Sequence, residues 1–211
     1  MIMTEKHKGH LIILNGGSSA GKTTLVENFQ NYAFEHHQIL YLTLGIDSAF
    51  SIFPKNIFSP YLKKIRKEMM FDLVNQGTKE NPYPVFEHTE KAHQYVKSRY
   101  LAIKQFLDQG FDVICDEQMW HYPWVESLKE VFKDNCIYLV KVFANEAILR
   151  AREANRGDRA ENLYLSSSEI SHKYMHYDLE VDASNNNYQK NVKLIWEFIK
   201  ENKNPKAIGK L

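Results

Sequence analysis

Short apolar runs and amphipathic stretches alternate along this chain, and the two patterns predict strands and helices in turn. An uninterrupted apolar run is typical of a parallel strand whose two faces are both buried. Four such runs predict strands at 11–14, 39–44, 111–115 and 136–143. The segment 177–182 alternates polar and apolar residues instead, which favours a strand at the edge of the sheet. A further short strand is predicted at 69–74.

Apolar residues at a spacing of three or four predict helices between these strands. The predicted helices cover 23–36, 85–109, 123–133, 145–155, 166–175 and 191–200. Gly110 stands where the second of them should end, and Ser166 and Glu169 form a capping box at the start of the fifth. Strands that alternate with helices predict an α/β fold, with a five-stranded, mainly parallel sheet covered by helices on both faces.

Composition and charge narrow the class of protein. The chain has 211 residues, of which 44% are hydrophobic and 25% are charged, and no linker divides it, so we expect one folded domain. The formal net charge of +1 gives no electrostatic reason to expect a nucleic acid partner or an anionic membrane surface. A mean hydropathy of -0.47 and the absence of a long apolar run exclude a membrane span. Cys115 and Cys136 fall in predicted strands as buried free thiols, which favours a cytoplasmic protein.

The turn between the first strand and the first helix carries the strongest chemical signal. Gly16 opens the run G-G-S-S-A-G-K-T, an instance of the pattern G-x-x-x-x-G-K-[ST]. Gly16 and Gly21 permit a backbone that turns successive N–H groups toward a phosphate, and the following helix aims its positive end at the same anion. Lys22 places a positive charge on the β- and γ-phosphates, and the Thr23 hydroxyl can complete the shell of a Mg²⁺ ion.

The alternative is a glycine-rich turn that binds no ligand. The pattern fixes four positions, and the apolar strand before it and the helical sequence after it supply the expected context, which favours a nucleotide phosphate site. The residues predicted to contact the nucleotide are Gly16, Gly17, Ser18, Ser19, Ala20, Gly21, Lys22, Thr23, Thr24 and Arg152.

Several classes of phosphate-loop protein lack support in this sequence. A GTPase needs N-K-x-D to read guanine, but the N-K-N-P run at 202–205 lacks the Asp, and no D-x-x-G occurs. The chain is also short for a motor ATPase with its own sensor and arginine-finger domains. A small-molecule kinase remains, and it requires a base for the acceptor hydroxyl, an acid for Mg²⁺ and arginines that close over the phosphates.

Two carboxylates at predicted strand ends fit the first two requirements. Asp47 follows the second strand and therefore lies at the carboxyl edge of the sheet, where open α/β folds bind ligands. It is the candidate base, with the alternative that Asp47 or Ser48 caps a short helix. Asp116 ends the third strand and is the candidate Mg²⁺ carboxylate, with the alternative of a strand-end carboxylate that meets solvent. Glu117 could share or replace that role.

Three arginines, late in the helix predicted at 145–155 and in the break after it, fit the third requirement. Arg152, Arg156 and Arg159 surround a glycine, and such a segment can close as a lid that places guanidinium groups on the transferring phosphate. The alternative is that these charges complement the helix dipole and that one of them pairs with Asp158 at the surface.

The order of these blocks resembles the chloramphenicol phosphotransferase-like family of P-loop small-molecule kinases. The blocks are G-G-S-S-A-G-K-T, G-I-D-S, a strand that ends in an acidic pair, R-E-x-x-R-G-D-R and H-x-x-x-x-Y-D-L-E-V-D. They extend from about residue 11 to about residue 184, so the resemblance covers most of the chain.

The resemblance implies roles for individual residues. Asp47 matches the aspartate that deprotonates the acceptor hydroxyl, and Lys22 and Thr23 match the phosphate and magnesium positions. Arg156 and Arg159 match the arginines of the lid. The segment 182–187 is implied to approach the adenine base. The residues implied to be catalytic are Asp47, Lys22, Arg156 and Arg159, and those implied to hold Mg²⁺ are Thr23 and Asp116.

Taken together, these observations predict a single P-loop kinase domain with a nucleoside-monophosphate-kinase-like sheet of strand order 2-3-1-4-5. It would use ATP and Mg²⁺ to phosphorylate the hydroxyl of a small molecule. We expect a loose arm at 1–9, an acceptor-binding insertion at about 49–84, a lid at about 152–175 and a frayed tail at 201–211. The sequence leaves open the acceptor, the choice between ATP and GTP, and the oligomeric state.

Other functions remain as alternatives. They are a toxin-like sugar-nucleotide kinase, a nucleic-acid-end kinase and a nucleotide-binding regulator without transfer activity. The near-neutral charge argues against the nucleic-acid-end kinase, and the presence of Asp47 argues against the regulator, because a pure binder needs no base.

Aromatic and histidine side chains leave further alternatives open. An apolar acceptor pocket could use Phe50, Phe53, Phe58, Phe71 or Trp120, or these side chains could simply pack in the core. His172 and His176 are four residues apart on a predicted helix, but no third zinc ligand accompanies them. His172 coincides with a histidine of the family, and we expect it to pack or to form hydrogen bonds.

Overall fold

The central sheet of the molecule is fully parallel and has five strands. The computed structural model describes residues 8–46, 48, 51–57, 59, 61, 63–156 and 160–211. Within them the strands are β1 (Leu11–Asn15), β2 (Tyr41–Leu42), β3 (Phe71–Asn75), β4 (Pro84–His88), β5 (Asp112–Glu117), β6 (Ile137–Phe143) and β7 (Leu179–Asp182). The sheet order is β2-β5-β1-β6-β7, with parallel pairing throughout. Counting only these five strands, this is the predicted order 2-3-1-4-5.

Helices cover both faces of this sheet. They are α1 (Lys22–His37), α2 (Lys63–Met69), α3 (Glu90–Asp108), α4 (Tyr122–Phe132), α5 (Glu146–Arg156), α6 (Leu163–His172) and α7 (Tyr188–Glu201), followed by a 3-10 turn at Ala207–Lys210. Because side chains alternate along a strand, Leu11 and Ile13 of β1 pack with α3 and α4, whereas Ile12 and Leu14 pack with α1 and α7. The apolar run of β1 is therefore buried on both faces, as its sequence predicts.

A β-hairpin stands apart from the central sheet, and the sequence analysis missed half of it. Strand β3 has nearly the bounds of the strand predicted at 69–74, and it pairs antiparallel with β4. The residues of β4 were expected to open a helix at Val85, but α3 begins only at Glu90. Thr89 stops the extended strand there, because its side chain accepts a hydrogen bond from the N–H of Ala92 and caps the helix.

The capping box predicted at Ser166 does not start a helix. Helix α6 begins at Leu163, and Ser166 lies buried inside it, where its hydroxyl donates to the carbonyl of Pro84. Glu169 accepts a hydrogen bond from the Tyr83 hydroxyl instead of capping. Both side chains thus tie α6 to the hairpin, and these long-range partners took precedence over the local cap.

Residues near both ends of the described chain form contacts with the rest of the fold. Gly9, placed in the predicted loose arm, donates a backbone hydrogen bond to Leu107; residues 1–7 lie outside the described residues. Within the tail predicted to fray, the N–H groups of Lys206 and Ala207 donate to the Asp178 carboxylate and Ala207 is buried, so the tail is held at these residues. No helix in the described part of the chain has the length and apolar character needed to cross a bilayer.

Replacing Asp178 with Ala tests how firmly the tail is held. One carboxylate oxygen accepts from Lys206 and Ala207, and the other accepts from the N–H of Leu139, at 2.7, 2.9 and 3.0 Å. We expect the loss of these charge-assisted bonds to lower the free energy of unfolding by about 2 to 4 kcal/mol, as measured by urea denaturation. Asp134→Ala, at an exposed carboxylate, is the control. Equal stability of the two variants would contradict the attachment.

Candidate active site

The glycine-rich turn lies where β1 ends and α1 begins. The backbone has positive φ at Ser19 (62°) and Gly21 (92°), and the value at Gly21 is one that a side chain strongly disfavours. Helix α1 starts at Lys22, so its first N–H groups point into a cavity of about 470 Å³ above the turn. The cavity is lined by Ser18, Ser19, Gly21, Lys22, Thr23, Thr24, Ile46, Gln118, Arg152, Asn155, Arg156, Asn186 and Tyr188.

The predicted contact residues divide between the wall of this cavity and its support. Ser18, Ser19, Gly21, Lys22 and Thr23 are among those that form the wall, whereas Gly16, Gly17 and Ala20 do not line it. These three are buried behind the wall. The Lys22 ammonium is also mostly buried and donates to the carbonyl of Gly17 at 2.7 Å, which folds the side chain back along the turn.

Thr23 and Asp116 meet although they are far apart in the sequence. The Thr23 hydroxyl donates to the Asp116 carboxylate at 2.7 Å, and Asp116 is buried at the carboxyl end of β5. Parallel pairing of Leu14 with Asp116 brings that strand end level with the glycine-rich turn. A hydroxyl and a carboxylate at this point offer two of the hard oxygen ligands that Mg²⁺ accepts beside phosphate and water. In the described part of the chain no three His, Cys, Asp or Glu side chains form a metal cluster.

Glu117 does not share this position. Its carboxylate is buried and forms an ion pair with the guanidinium of Arg99, which is also buried. Burial raises the pKa of Glu117, and Arg99 opposes that rise. The alternative in which Glu117 replaces Asp116 as the metal ligand is therefore unsupported, because the Glu117 carboxylate is committed to Arg99.

Two of the three predicted lid arginines, Arg152 and Arg156, lie among the described residues, and their surroundings differ. Arg152 is fixed: its guanidinium donates to the carbonyls of Ser19, Ala20 and Ala183 and to the side chain of Asn186. It therefore fastens α5 and the segment after β7 to the glycine-rich turn. Arg156 is exposed at the end of α5 and lines the cavity. Arg159 and the candidate base Asp47 lie outside the described residues.

A second, apolar cavity of about 80 Å³ lies beside the first. It is lined by Ile46, Met70, Phe71, Phe86, His88, Ala92, Tyr95, Val96, Gln118, Trp120, Trp124 and Leu163. Ile46 and Gln118 border both cavities, so the two adjoin at the position that immediately precedes Asp47. Of the aromatic side chains proposed for an acceptor pocket, Phe71 and Trp120 line this cavity, Phe53 packs on Tyr95, and Phe50 and Phe58 lie outside the described residues.

Two histidines near the apolar cavity, His88 and His121, have lowered pKa values that favour the neutral imidazole. His88 lines the cavity and stands 3.1 Å from His93 between ring nitrogens, and its ring packs against that of His121. Burial and the two neighbouring imidazoles lower the pKa of His121 to about 3, and burial and His93 lower the pKa of His88. The cavity therefore presents apolar and neutral polar groups.

A buried hydrogen-bond network under the glycine-rich turn was missed by the sequence analysis. The Asn15 side chain, at the end of β1, donates to the carbonyl of Ser171 and to the Tyr177 hydroxyl and accepts from the N–H of Met119. The Tyr177 hydroxyl also bonds His172 Nδ1 at 2.6 Å. The signal was available, because Asn15 is a polar residue at the end of an apolar run. His172 thus has the hydrogen-bonding role that was expected.

The His172 imidazole predicts a dependence of stability on pH. Burial, followed by the charges of Lys141 and Lys22, lowers its pKa from 6.5 to about 4. Below pH 6.5 the unfolded chain takes up a proton that the folded chain refuses, so stability is full above pH 6.5 and falls toward pH 4. We expect a loss of about 2 to 3 kcal/mol over this interval, measured by urea denaturation.

The variant His172→Gln should show a shallower pH dependence over the same interval. His176→Gln, at an exposed histidine four residues away, is the control and should follow the original chain. An unchanged slope in His172→Gln would show that other groups cause the dependence.

Solved structures share this fold. The APS kinase CysC of Mycobacterium tuberculosis, in complex with AMPPNP and APS, has a TM-score of 0.62 at 10% identity, over 92% of this chain and 98% of its own. A gluconokinase from Sinorhizobium meliloti 1021 has a TM-score of 0.52 at 12% identity, over 93% of this chain and 94% of its own. At such identities the likeness establishes the fold alone, and it confirms the predicted P-loop kinase fold.

Sequence comparison reaches further. Two proteins of Mycobacterium tuberculosis, from strains CDC 1551 / Oshkosh and ATCC 25618 / H37Rv, are both named "Putative O-phosphotransferase". Each is 32% identical to this chain over 183 residues, which is 84% of this chain and 76% of the relative. The sequence model of the family described as "Chloramphenicol phosphotransferase-like protein" matches residues 9–200. The resemblance inferred from the motifs is thereby confirmed, and this chain belongs to the chloramphenicol phosphotransferase-like family.

Proposed function

We propose that this protein is an ATP-dependent kinase that transfers the γ-phosphoryl group to a hydroxyl of a small, uncharged acceptor. The observation that carries the proposal is the direct junction of two unlike cavities. One holds the glycine-rich turn, Lys22 and the Thr23–Asp116 pair, and the other is lined mainly by aromatic and aliphatic side chains. A phosphate donor and an apolar acceptor placed in them would meet beside Ile46.

The first cavity supplies groups suited to the triphosphate. The N–H groups at the start of α1 and the ammonium of Lys22 would hold the β- and γ-phosphates, since both concentrate positive charge on the same anion. The oxygens of Thr23 and Asp116 would hold Mg²⁺, which when bound offsets phosphate charge. Asn155, Asn186 and Tyr188 line the same cavity and are candidates for the nucleoside side, with Asn186 in the predicted 182–187 segment.

Asp47 is the proposed base. The support is its place in the chain, immediately after Ile46, a residue that borders both cavities. A carboxylate there would accept the proton of the acceptor hydroxyl as the oxygen attacks the γ-phosphorus, and the bond to the β-phosphate oxygen would break in line. The phosphoryl group moves to the alcohol, and ADP leaves.

Arginines are proposed to stabilise the transferring group. Arg156 lines the cavity and carries its charge at the end of α5, and Arg159 would follow three residues later in the predicted lid. Guanidinium groups suit this task because they bind phosphoryl oxygens in a bidentate manner. Arg152, in contrast, is engaged with backbone carbonyls, so we assign it to fastening the turn.

The lining of the second cavity bears on the acceptor. Among the residues that the structure describes, the side chains that line it are apolar, aromatic, amide or neutral imidazole, and none of these is Lys, Arg, Asp or Glu. A sugar nucleotide would bring phosphate charges into this space without a cationic partner, at a high desolvation cost. The apolar lining therefore favours a neutral alcohol over the sugar-nucleotide alternative.

The variant Asp47→Asn tests the base. We expect phosphoryl transfer from labelled ATP to a panel of neutral alcohols, chloramphenicol included, to fall about 100- to 10,000-fold, because the amide cannot accept the proton. The affinity for ATP, measured by calorimetry, should change less than about two-fold, since the phosphate contacts remain. Asp134→Asn is the control at an exposed carboxylate. Undiminished transfer by Asp47→Asn would refute the assignment.

The variant Phe86→Ala tests the acceptor cavity. Phe86 lines the apolar cavity and packs edge-on against Trp120 at 4.9 Å between ring centroids. Removing the ring should raise KM for the acceptor about 10-fold or more while KM for ATP is unchanged, because only acceptor contacts are lost. Phe106→Ala, at a partly exposed ring outside the cavity, is the control. A matched increase in KM for ATP would contradict the placement.

A further inference from the structure

The carboxyl end of β2 is held by something other than its sheet ladder. Strand β2 pairs with β5 only through Tyr41 and Leu42, opposite Asp112 and Val113. The chain then runs on to Ile46, beside both cavities, without further pairing in the sheet. The segment that bears the proposed base therefore begins beyond the last ladder bond, although a catalytic carboxylate must be placed to within a fraction of an ångström.

Arg99 makes the missing connection. It lies on α3 and is only 4% exposed, and its Nη1 donates to the carbonyl of Leu44 at 2.9 Å. Its Nη2 forms the ion pair with the buried carboxylate of Glu117, on the neighbouring strand β5. One planar guanidinium therefore joins the extension of β2 to the end of β5 at the level where the ladder has ended.

Gly45, the residue after Leu44, shows how closely the segment after β2 approaches the end of β5. Gly45 is buried, and a Cβ atom on it would lie 1.7 Å from the Oδ1 atom of Asp116. The other oxygen of that carboxylate accepts the hydrogen bond from Thr23. The backbone at Gly45 thus rests directly on the proposed metal ligand, and only a glycine allows this approach. The hydrogen bond from Arg99 to the carbonyl of Leu44, the residue before Gly45, maintains this close approach.

The Arg99–Glu117 pair is better explained by placement than by stability. Removing two charges from water costs free energy that their attraction only partly repays, so a buried ion pair contributes little net stability. The pair does fix the orientation of the guanidinium, because Arg99 is held by α3 and Glu117 is held by β5. The remaining N–H groups of the guanidinium can then hold a carbonyl at a defined place.

We propose that Arg99 is a positioning residue for phosphoryl transfer: it fixes Leu44, in the segment after β2, against β5, and through this segment it positions the proposed base, which follows three residues later in the chain. The inference rests on the proposed kinase function. It implies that Arg99 acts through Asp47 and has no contact with either substrate. Arg99 is absent from the linings of both cavities.

The test compares Arg99→Lys with Lys97→Met, a control on the same helix that removes a surface pair with Glu130. The ammonium of Arg99→Lys keeps a charge beside Glu117 but lacks the planar fork whose two separate nitrogens contact Glu117 and Leu44. We expect kcat to fall about 10- to 100-fold, with KM for ATP within about two-fold of the original value. Hydrogen exchange of the 42–48 peptide should accelerate, while protection of the 16–25 peptide by ATP should remain. An unchanged kcat, or an equal weakening of ATP binding, would overturn the proposal.

A double variant separates positioning from a general loss of structure. If Arg99 acts only through Asp47, Asp47→Asn/Arg99→Lys should be no slower than Asp47→Asn, since nothing remains to be positioned. If the two single losses of kcat multiply in the double variant, the proposal is overturned. Should Arg99→Lys fold poorly, Arg99→Met/Glu117→Met removes both charges, and the same fall in kcat is expected of it; a normal kcat would again contradict the inference.

The two proposals can fail separately. If the original protein phosphorylates no alcohol in the panel, the proposed function fails. The hydrogen-exchange comparison with Lys97→Met then still decides whether Arg99 holds the 42–48 segment. If transfer occurs and depends on Asp47 but not on Arg99, only the positioning role is lost.

Discussion

The arrangement of the site depends on the parallel pairing of β1 between β5 and β6. This register places Leu14 level with Asp116 on one side and with Val140 on the other. Because both faces of β1 are buried, the strand cannot slip by one residue without turning its apolar side chains to the wrong cluster. The glycine-rich turn that follows therefore emerges at one height, where the Thr23 hydroxyl reaches the Asp116 carboxylate.

Helix α6 connects the glycine-rich turn beside the first cavity to the hairpin that lines the apolar cavity. Ser167 accepts a hydrogen bond from the N–H of Ser18 in the turn, while the neighbouring Ser166 donates to Pro84 of β4. Asn162 and Glu169 add bonds to the loop between the two hairpin strands. One helix therefore supports the walls of both cavities. The hairpin, which pairs only within itself in the described residues, obtains its orientation from these polar contacts as well as from its apolar face.

The sequence predicted the central sheet well, because buried parallel strands appear as continuous apolar runs and the glycine pattern marks one turn without ambiguity. It failed at 85–88, where four residues adjoin a helix and are too few to distinguish the strand period from the helix period. It also failed at Ser166, whose local capping pattern was overridden by a partner more than 80 residues away. Arg99 could not be predicted for the same kind of reason: a single arginine on an amphipathic helix has no local signal, and its partners lie on β5 and in the segment after β2.

The segment after β2 must be held in place, and the carboxyl edge of the sheet must also stay accessible. The short β2–β5 pairing and the buried guanidinium of Arg99 together meet both requirements. If the β2–β5 hydrogen bonds continued past Leu42, they would hold the segment firmly. The paired backbone would then occupy the carboxyl edge, where sheets of this kind bind ligands. A side chain reaching from α3 behind the strands holds the same segment at Leu44 and leaves Ile46 free to border both cavities. The segment is thus held from the buried side, and the carboxyl edge of the sheet stays open where the two cavities adjoin.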